Sequence, residues 1–277
     1  GWGTPTWPKA YGGGGLTPAQ ARVLQQEMNR IGARNPIGGM GIMMFGPTLL
    51  EYGSEEQKQR HIPPICRGEI RWCQGYSEPG AGSDLAALQT RAEDMGDHFL
   101  VNGQKVWTSG AQYADWCFCL VRTDFTTKHE GISFVLFDMK TPGVEVRPIK
   151  LISGKSPFCE TFLTDVKVPK ENLVGPLNGG WTIGKRLLQH ERNSLSGGGG
   201  SAGRFAAGTP LGQDRAELAV EIMGAQGLGW EGEGFTDKEL EQTRNWLGGK
   251  ATTIYGGSAE IQNNIIAKRI LGLLDHQ

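Results

Sequence analysis

The chain has 277 residues, 38% of them hydrophobic and 21% charged, with a net charge of −1. That length provides for one large domain or two to three small ones with a buried core. The near-neutral balance, without a basic block, argues against a nucleic-acid partner, and no apolar run approaches the roughly 20 residues of a membrane span. The start at Gly1-Trp2-Gly3 has neither Met nor a signal-peptide pattern and predicts that the true N-terminus lies further upstream. None of the five cysteines, Cys66, Cys73, Cys117, Cys119 and Cys159, belongs to a CxxC pair. They read as reduced thiols of an intracellular protein, cytoplasmic or, in a eukaryote, in the mitochondrial matrix. No His/Cys cluster suggests a metal. The glycine runs Gly12–Gly15 and Gly197–Gly200 mark flexible or sharply turning places.

In chain order, residues 17–70 read as helical. Thr17-Pro18-Ala19-Gln20 is a start signal, a cap followed by Pro at the first helical position. Gly53-Ser54-Glu55-Glu56 is a second start, opening a polar surface helix to about His61. Asp97–Val101 and Lys105–Trp107 flank Asn102-Gly103, which predicts a hairpin turn there. Asp115–Val121, Ile132–Phe137, the alternating Val144 and Val146, and Phe158–Val168 read as short strands of a compact barrel or sandwich of about 100 residues. After Gly179-Gly180 the helical period returns, with Ile183, Leu187 and Leu195 at steps of four or eight, and Ser258 caps a last helix carrying Ile261, Ile265 and Ile266.

Gln74–Asp84 (QGYSEPGAGSD) sets small residues around Pro79. On composition it is either an ordinary Gly-Pro turn or a place where bare backbone approaches a flat ligand. No Walker-type lysine or GxGxxG accompanies it. Ile183, Leu187, Glu191 and Leu195 share a helix face, so Glu191 interrupts an apolar stripe. It is either half of a surface pair with Arg192 or a carboxylate whose pKa burial would raise toward base work. Trp107 alone reads as a core aromatic or as a ring for a ligand.

Taken as words, CQGYSEPGAGSD, then NGQKVWTSG, then IYGGSAEIQNNIIAKRILG resemble the acyl-CoA dehydrogenase family, in the family's order and over nearly the whole chain. The resemblance implies an α+β, acyl-CoA dehydrogenase-like fold. N-terminal helices span 1–70, a middle β domain 71–178 and a C-terminal helical bundle 179–277. It implies FAD as cofactor, with contacts from Tyr76, Ser77, Gly82, Ser83, Trp107, Thr108 and Ser109. The Ser109 hydroxyl is expected near flavin N5, where charge develops. Gly224 and Gly227 match the glycine-rich turn that reaches the FAD of a neighbouring subunit, preceded here by Glu221 where the family has Gln. Ser258 and Glu260 match further FAD contacts at a helix N-terminus. Ser83 and Arg192 match positions that meet the CoA substrate.

Many members carry the catalytic Glu in a Tyr-Glu-Gly triplet, but this chain has Tyr255-Gly256-Gly257. Isovaleryl- and long-chain-type members place it before an Arg on an earlier helix, which points to Glu191 in His190-Glu191-Arg192. The implied reaction is α,β-dehydrogenation of an acyl-CoA to the 2-enoyl-CoA, with electrons passing to an electron-transferring flavoprotein, in a homo- or hetero-oligomer (dimer or tetramer). A same-fold oxidase or monooxygenase, and a non-catalytic subunit of a mixed oligomer, are the alternatives. Only about thirty residues separate the Glu191 block from Met223–Gly227, far fewer than in the family. The bundle is therefore expected to be incomplete, with exposed apolar faces.

Overall fold

The computed structural model describes residues 1–35, 37–195, 202–254, 257–269 and 271–273. They divide into two compact units. The first is Gly1–Pro148 with Phe158–Glu191, and the second is Ile149–Pro157 with Arg192–Gln277.

The first unit begins with three helices, α1 (Pro18–Arg30), α2 (Gly46–Tyr52) and α3 (Glu55–Cys66). Both predicted starts are capping boxes: Thr17 with Gln20, and Ser54 with Gln57, each exchanging side-chain and backbone bonds. α3 runs five residues beyond the expected end, through Pro63 and Pro64. Each proline removes one helical N–H, but Ile62 and Ile65 on this last stretch are buried, and their packing holds the turn.

Eight strands follow: β1 (Trp72–Gly75), β2 (Arg91–Asp94), β3 (His98–Ser109), β4 (Trp116–Arg122), β5 (Ile132–Asp138), β6 (Val144–Ile149), β7 (Phe158–Pro169) and β8 (Leu173–Val174). They form one sheet in the order β6-β7-β3-β2-β4-β5-β8, with β1 also paired to β4. The continuous apolar run of β4 reflects burial on both faces. Phe118 and Leu120 meet the helices in one core with Phe45, Leu49, Ile62, Trp72 and Phe134. Cys117, Cys119 and Val121 meet Phe99, Val101, Val135, Leu163 and Val166 in a second core. Strands β7 and β5, far apart in the order, share that second core, so the sheet curls around it.

The predicted hairpin at Asn102-Gly103 is corrected. β3 runs straight through these residues as one strand paired with β7, with a shift of register between Val101 and Gly103. A Cβ at Gly103 would lie 2.6 Å from the Thr90 hydroxyl, so the glycine serves close strand approach rather than a turn. The chain reverses instead at Met95-Gly96-Asp97, where Gly96 takes φ 94° and Met95 N–H donates to the His98 carbonyl at 2.9 Å.

α4 (Gly180–Leu195) completes the first unit through its N-terminal three turns. Its Ile183 and Leu187 are 1% and 0% exposed and join the first core. The second unit carries α5 (Ala202–Met223), α6 (Asp237–Gly249) and α7 (Ala259–Arg269). α5 passes through Thr209-Pro210-Leu211 as a single helix. Leu211, Leu218 and Ile222 on α5 are exposed, as an incomplete bundle predicts. The run Gly197–Gly200, Tyr255-Gly256 and the Arg192 side chain lie outside the described residues. All five cysteines are free thiols. Among the described residues no helix is long and apolar enough to cross a membrane.

Candidate functional site

The first unit brings two of the sequence blocks together. β1 runs out into Tyr76 and Ser77, and the chain then turns tightly over Glu78-Pro79-Gly80-Ala81. Glu78 and Ala81 close this turn by exchanging backbone bonds at 3.0 Å each. A Cβ on Gly80 or Gly82 would meet nothing within 4 Å, so the backbone here forms an open rim with Gly82 and Ser83 exposed. The second block lies against it, because Val106 N–H donates to the Ser77 carbonyl at 2.9 Å.

A buried ion pair fastens the two blocks, and nothing in the sequence reading singled it out. Lys105 Nζ donates to Glu78 Oε1 at 2.8 Å and to the Tyr76 carbonyl at 3.1 Å. The two side chains are 1% and 8% exposed. Glu78 also accepts from the backbone N–H groups of Gln89 at 2.6 Å and Thr90 at 2.9 Å. Burial alone pushes the Glu78 carboxyl up, but the Lys105 ammonium and these donors outweigh it and hold the group below its ordinary value. The signal for this pair was present in the words themselves: a carboxylate beside Pro79 in the first block, and the one lysine of the second, inside an apolar strand.

Beyond Lys105 the β3–β7 register shifts again, between Lys105 and Thr108. Trp107 at this irregularity takes φ 60°, a left-handed conformation costing on the order of 1–3 kcal/mol for a bulky residue. The distortion leaves its ring 54% exposed and edge-on to Phe158, with centroids 6.0 Å apart. Thr108 is fully buried and its hydroxyl bonds nothing, while Ser109 is half-buried. A strained, solvent-facing aromatic beside a rim of bare backbone and three hydroxyl residues, Ser77, Ser83 and Ser109, suits a flat ring system with a polar edge. The residues present therefore fit a flavin.

Glu191 stands on α4, half-buried, on the face that carries Gly184 and Leu187. Its neighbourhood includes Tyr76: after burial, the Glu191 charge is the next cause that pushes the Tyr76 hydroxyl well above its ordinary pKa. The first unit thus unites Tyr76, Ser77, Gly82, Ser83, Trp107, Thr108, Ser109 and Glu191.

The second unit holds the other candidates. Gly224, at φ 57°, follows α5 and opens the short turn Gly224–Leu228. Gly227 is buried, and its carbonyl accepts from the Thr243 hydroxyl of α6 at 3.1 Å. Ser258 precedes α7 and donates to the Glu260 carboxylate, which lies below its ordinary pKa chiefly for that reason. Ser258 is half-buried and Glu260 exposed.

An α–β–α chain with a small-residue rim, a strained exposed tryptophan and a carboxylate facing an apolar layer is the scaffold of a flavin-dependent oxidoreductase. Family comparison agrees with this class. The acyl-CoA dehydrogenase N-terminal domain matches residues 1–69, the middle domain 73–166 and the C-terminal domain 206–271. The acyl-CoA dehydrogenase IpdE1 of Mycolicibacterium smegmatis is 36% identical over 96% of this chain and 84% of its own length. That alignment runs over 334 positions, so the relative carries stretches with no counterpart among these 277 residues. Among solved structures, the steroid ACAD Tcur3481-Tcur3483 superposes with a TM-score of 0.82 at 31% identity, covering 99% of this chain and 86% of that one. The ChsE4-ChsE5 complex of Mycobacterium tuberculosis gives 0.81 at 30%, covering 99% and 87%. The chain belongs to the acyl-CoA dehydrogenase family, flavoprotein oxidoreductases of lipid metabolism that use FAD.

Proposed function

We propose that the chain converts an acyl-CoA thioester to its 2-enoyl-CoA, with Glu191 taking the proton from the carbon beside the thioester carbonyl. The observation that carries this reading is the position of Glu191. It lies on the α4 face that buries Leu187, within electrostatic reach of Tyr76 in the same unit as the Ser77–Ser83 rim and Trp107. A carboxylate among apolar side chains is poorly solvated, which suits it to accept a proton from carbon. FAD, when bound, supplies the two-electron acceptor that no side chain of this chain provides.

Tyr76, Ser77, Gly82, Ser83, Trp107, Thr108 and Ser109 are proposed to hold and orient the flavin. Gly224, Gly227, Ser258 and Glu260 are proposed as further FAD contacts, and Ser83 and Arg192 as contacts to CoA. The base position follows the isovaleryl- and long-chain-type arrangement. Electrons are proposed to pass to an electron-transferring flavoprotein, and the enzyme to act in the cytoplasm or, in a eukaryote, the mitochondrial matrix. It is proposed to work as an oligomer. The ChsE4-ChsE5 complex, built of two named components, supports the hetero-oligomeric form.

The test is anaerobic titration of the purified, FAD-loaded protein with acyl-CoA thioesters while flavin absorbance is followed. The panel includes straight-chain and steroid thioesters, because one similar structure is that of a steroid ACAD. Bleaching by at least one thioester is expected, and Glu191→Gln should abolish it while FAD stays bound. Normal bleaching in that variant refutes Glu191 as the base. Rapid reoxidation of the reduced protein by oxygen would mark a same-fold oxidase instead.

A further inference from the structure

The peptide joining Tyr76 to Ser77 lies between the buried ion pair and the open rim. Its carbonyl, that of Tyr76, turns inward and accepts from Lys105 Nζ at 3.1 Å. A trans peptide points its C=O and N–H in opposite directions, and the described residues include no cis peptide bond. The Ser77 N–H is therefore turned outward, away from the ammonium. Among the described residues it finds no acceptor, and Ser77 is half-buried at the rim. The Ser77 carbonyl is taken by the Val106 N–H at 2.9 Å, which sets this outward N–H beside the strand that carries Trp107.

Lys105 is 1% exposed, so water screens its charge little. A cation on a carbonyl draws electron density through the amide and makes the N–H at its other end a stronger donor. The counter-charge of Glu78 moderates this effect from 2.8 Å. That carboxylate also accepts from the N–H groups of Gln89 and Thr90, so it is not spent on Lys105 alone.

We propose that Lys105 is a positioning residue that acts through the Tyr76–Ser77 peptide, presenting the Ser77 N–H as a polarised donor to the polar edge of the flavin ring and favouring the reduced cofactor. This rests on the flavin lying along Tyr76–Ser83 and Trp107. A hydride delivered to a neutral flavin brings two electrons and one proton and leaves the ring with one negative charge. A donor fixed at the ring's polar edge favours that charged form over the neutral oxidised one. Lys105 thereby raises the reduction potential, and Glu78 restrains the rise.

The experiment is the midpoint potential of bound FAD at pH 7, by spectroelectrochemical titration of the parent, Lys105→Met and Glu78→Gln. Lys105→Met should shift the two-electron reduction equilibrium about tenfold toward oxidised FAD, about 30 mV lower. Glu78→Gln keeps the ammonium on the Tyr76 carbonyl but removes its counter-charge, so its potential should rise by a similar amount. Opposite signs are what a purely structural pair would not produce. Should Lys105→Met lose its FAD, Glu78→Gln decides alone: a raised potential supports the proposal, and an unchanged or lowered one overturns it. Shifts of the same sign, or loss of FAD from both variants, also overturn it. Trp107→Gly, run alongside, tests where the flavin lies. Unaltered FAD affinity there refutes the flavin's placement itself, whereas weakened affinity there with an unmoved potential in Glu78→Gln refutes only the role given to Lys105.

Discussion

Replacing Lys105 with Met tests whether the buried ion pair is what aligns the two blocks of the site. The substitution keeps an unbranched chain of similar reach but removes Nζ. Glu78, 8% exposed, would then keep only the N–H groups of Gln89 and Thr90, and the Tyr76 carbonyl would lose its donor. Removing one partner of a buried pair costs about 3–5 kcal/mol, because the other charge is left uncompensated. At roughly 2–4 °C per kcal/mol for a chain of this size, Tm should fall by on the order of 10 °C. The double variant Lys105→Met/Glu78→Gln removes both charges and should recover part of that loss. The pH dependence has a definite sign. The folded-state pKa of Glu78 lies below its ordinary 4.5, so the stabilisation is complete above that value and is lost as pH falls through the folded-state pKa. Without Lys105 the upward push of burial is less opposed, and acid destabilisation should begin at higher pH. Circular-dichroism melts from pH 4 to 8, together with the FAD content of the purified protein, measure all of this. A single variant melting within about 2 °C of the parent at pH 7 would refute the reasoning.

Trp107→Gly should separate stability from cofactor binding. Glycine relieves a left-handed backbone strain on the order of 1–3 kcal/mol and forfeits the edge contact to Phe158, so Tm should move by only a few degrees. FAD affinity should drop at least tenfold, and unaltered affinity by fluorescence titration would remove Trp107 from the flavin site. His61→Phe should reduce acid sensitivity. His61 is buried edge-on between Trp72 and Trp116, and burial, reinforced by the Arg60 charge, lowers its pKa to about 4. Between pH 6.5 and 4 the unfolded chain takes a proton that the folded chain refuses, so stability declines across that window by at most about 3 kcal/mol. Urea denaturation at pH 7.5 and pH 5 should show a smaller difference for the Phe variant, and an equal difference would contradict the assignment.

Local chemistry was legible wherever it sufficed to decide the structure. Thr17 with Gln20 and Ser54 with Gln57 became capping boxes because their bonds close within three residues. The run Asp115–Val121 became β4, and the family words foretold the fold. The spacing of Ile183, Leu187 and Glu191 predicted which face of α4 turns inward. Three features escaped, each decided by partners distant in the chain. Asn102-Gly103 has every local mark of a turn, yet β7 pairs with β3 on both sides of it and keeps the strand extended. Pro63 and Pro64 mark a helix end, yet burial of Ile62 and Ile65 carries α3 past them. Lys105 and Glu78 are 27 residues apart, so no local pattern pairs them before the sheet closes around both.

The sequence by itself determined the family, the order of the parts and the residue types available for catalysis, because these rest on short-range pattern and on motif. Only the tertiary structure decided which charges are buried and how Trp107 is forced outward. Desolvation and pairing depend on what the rest of the chain places around a group.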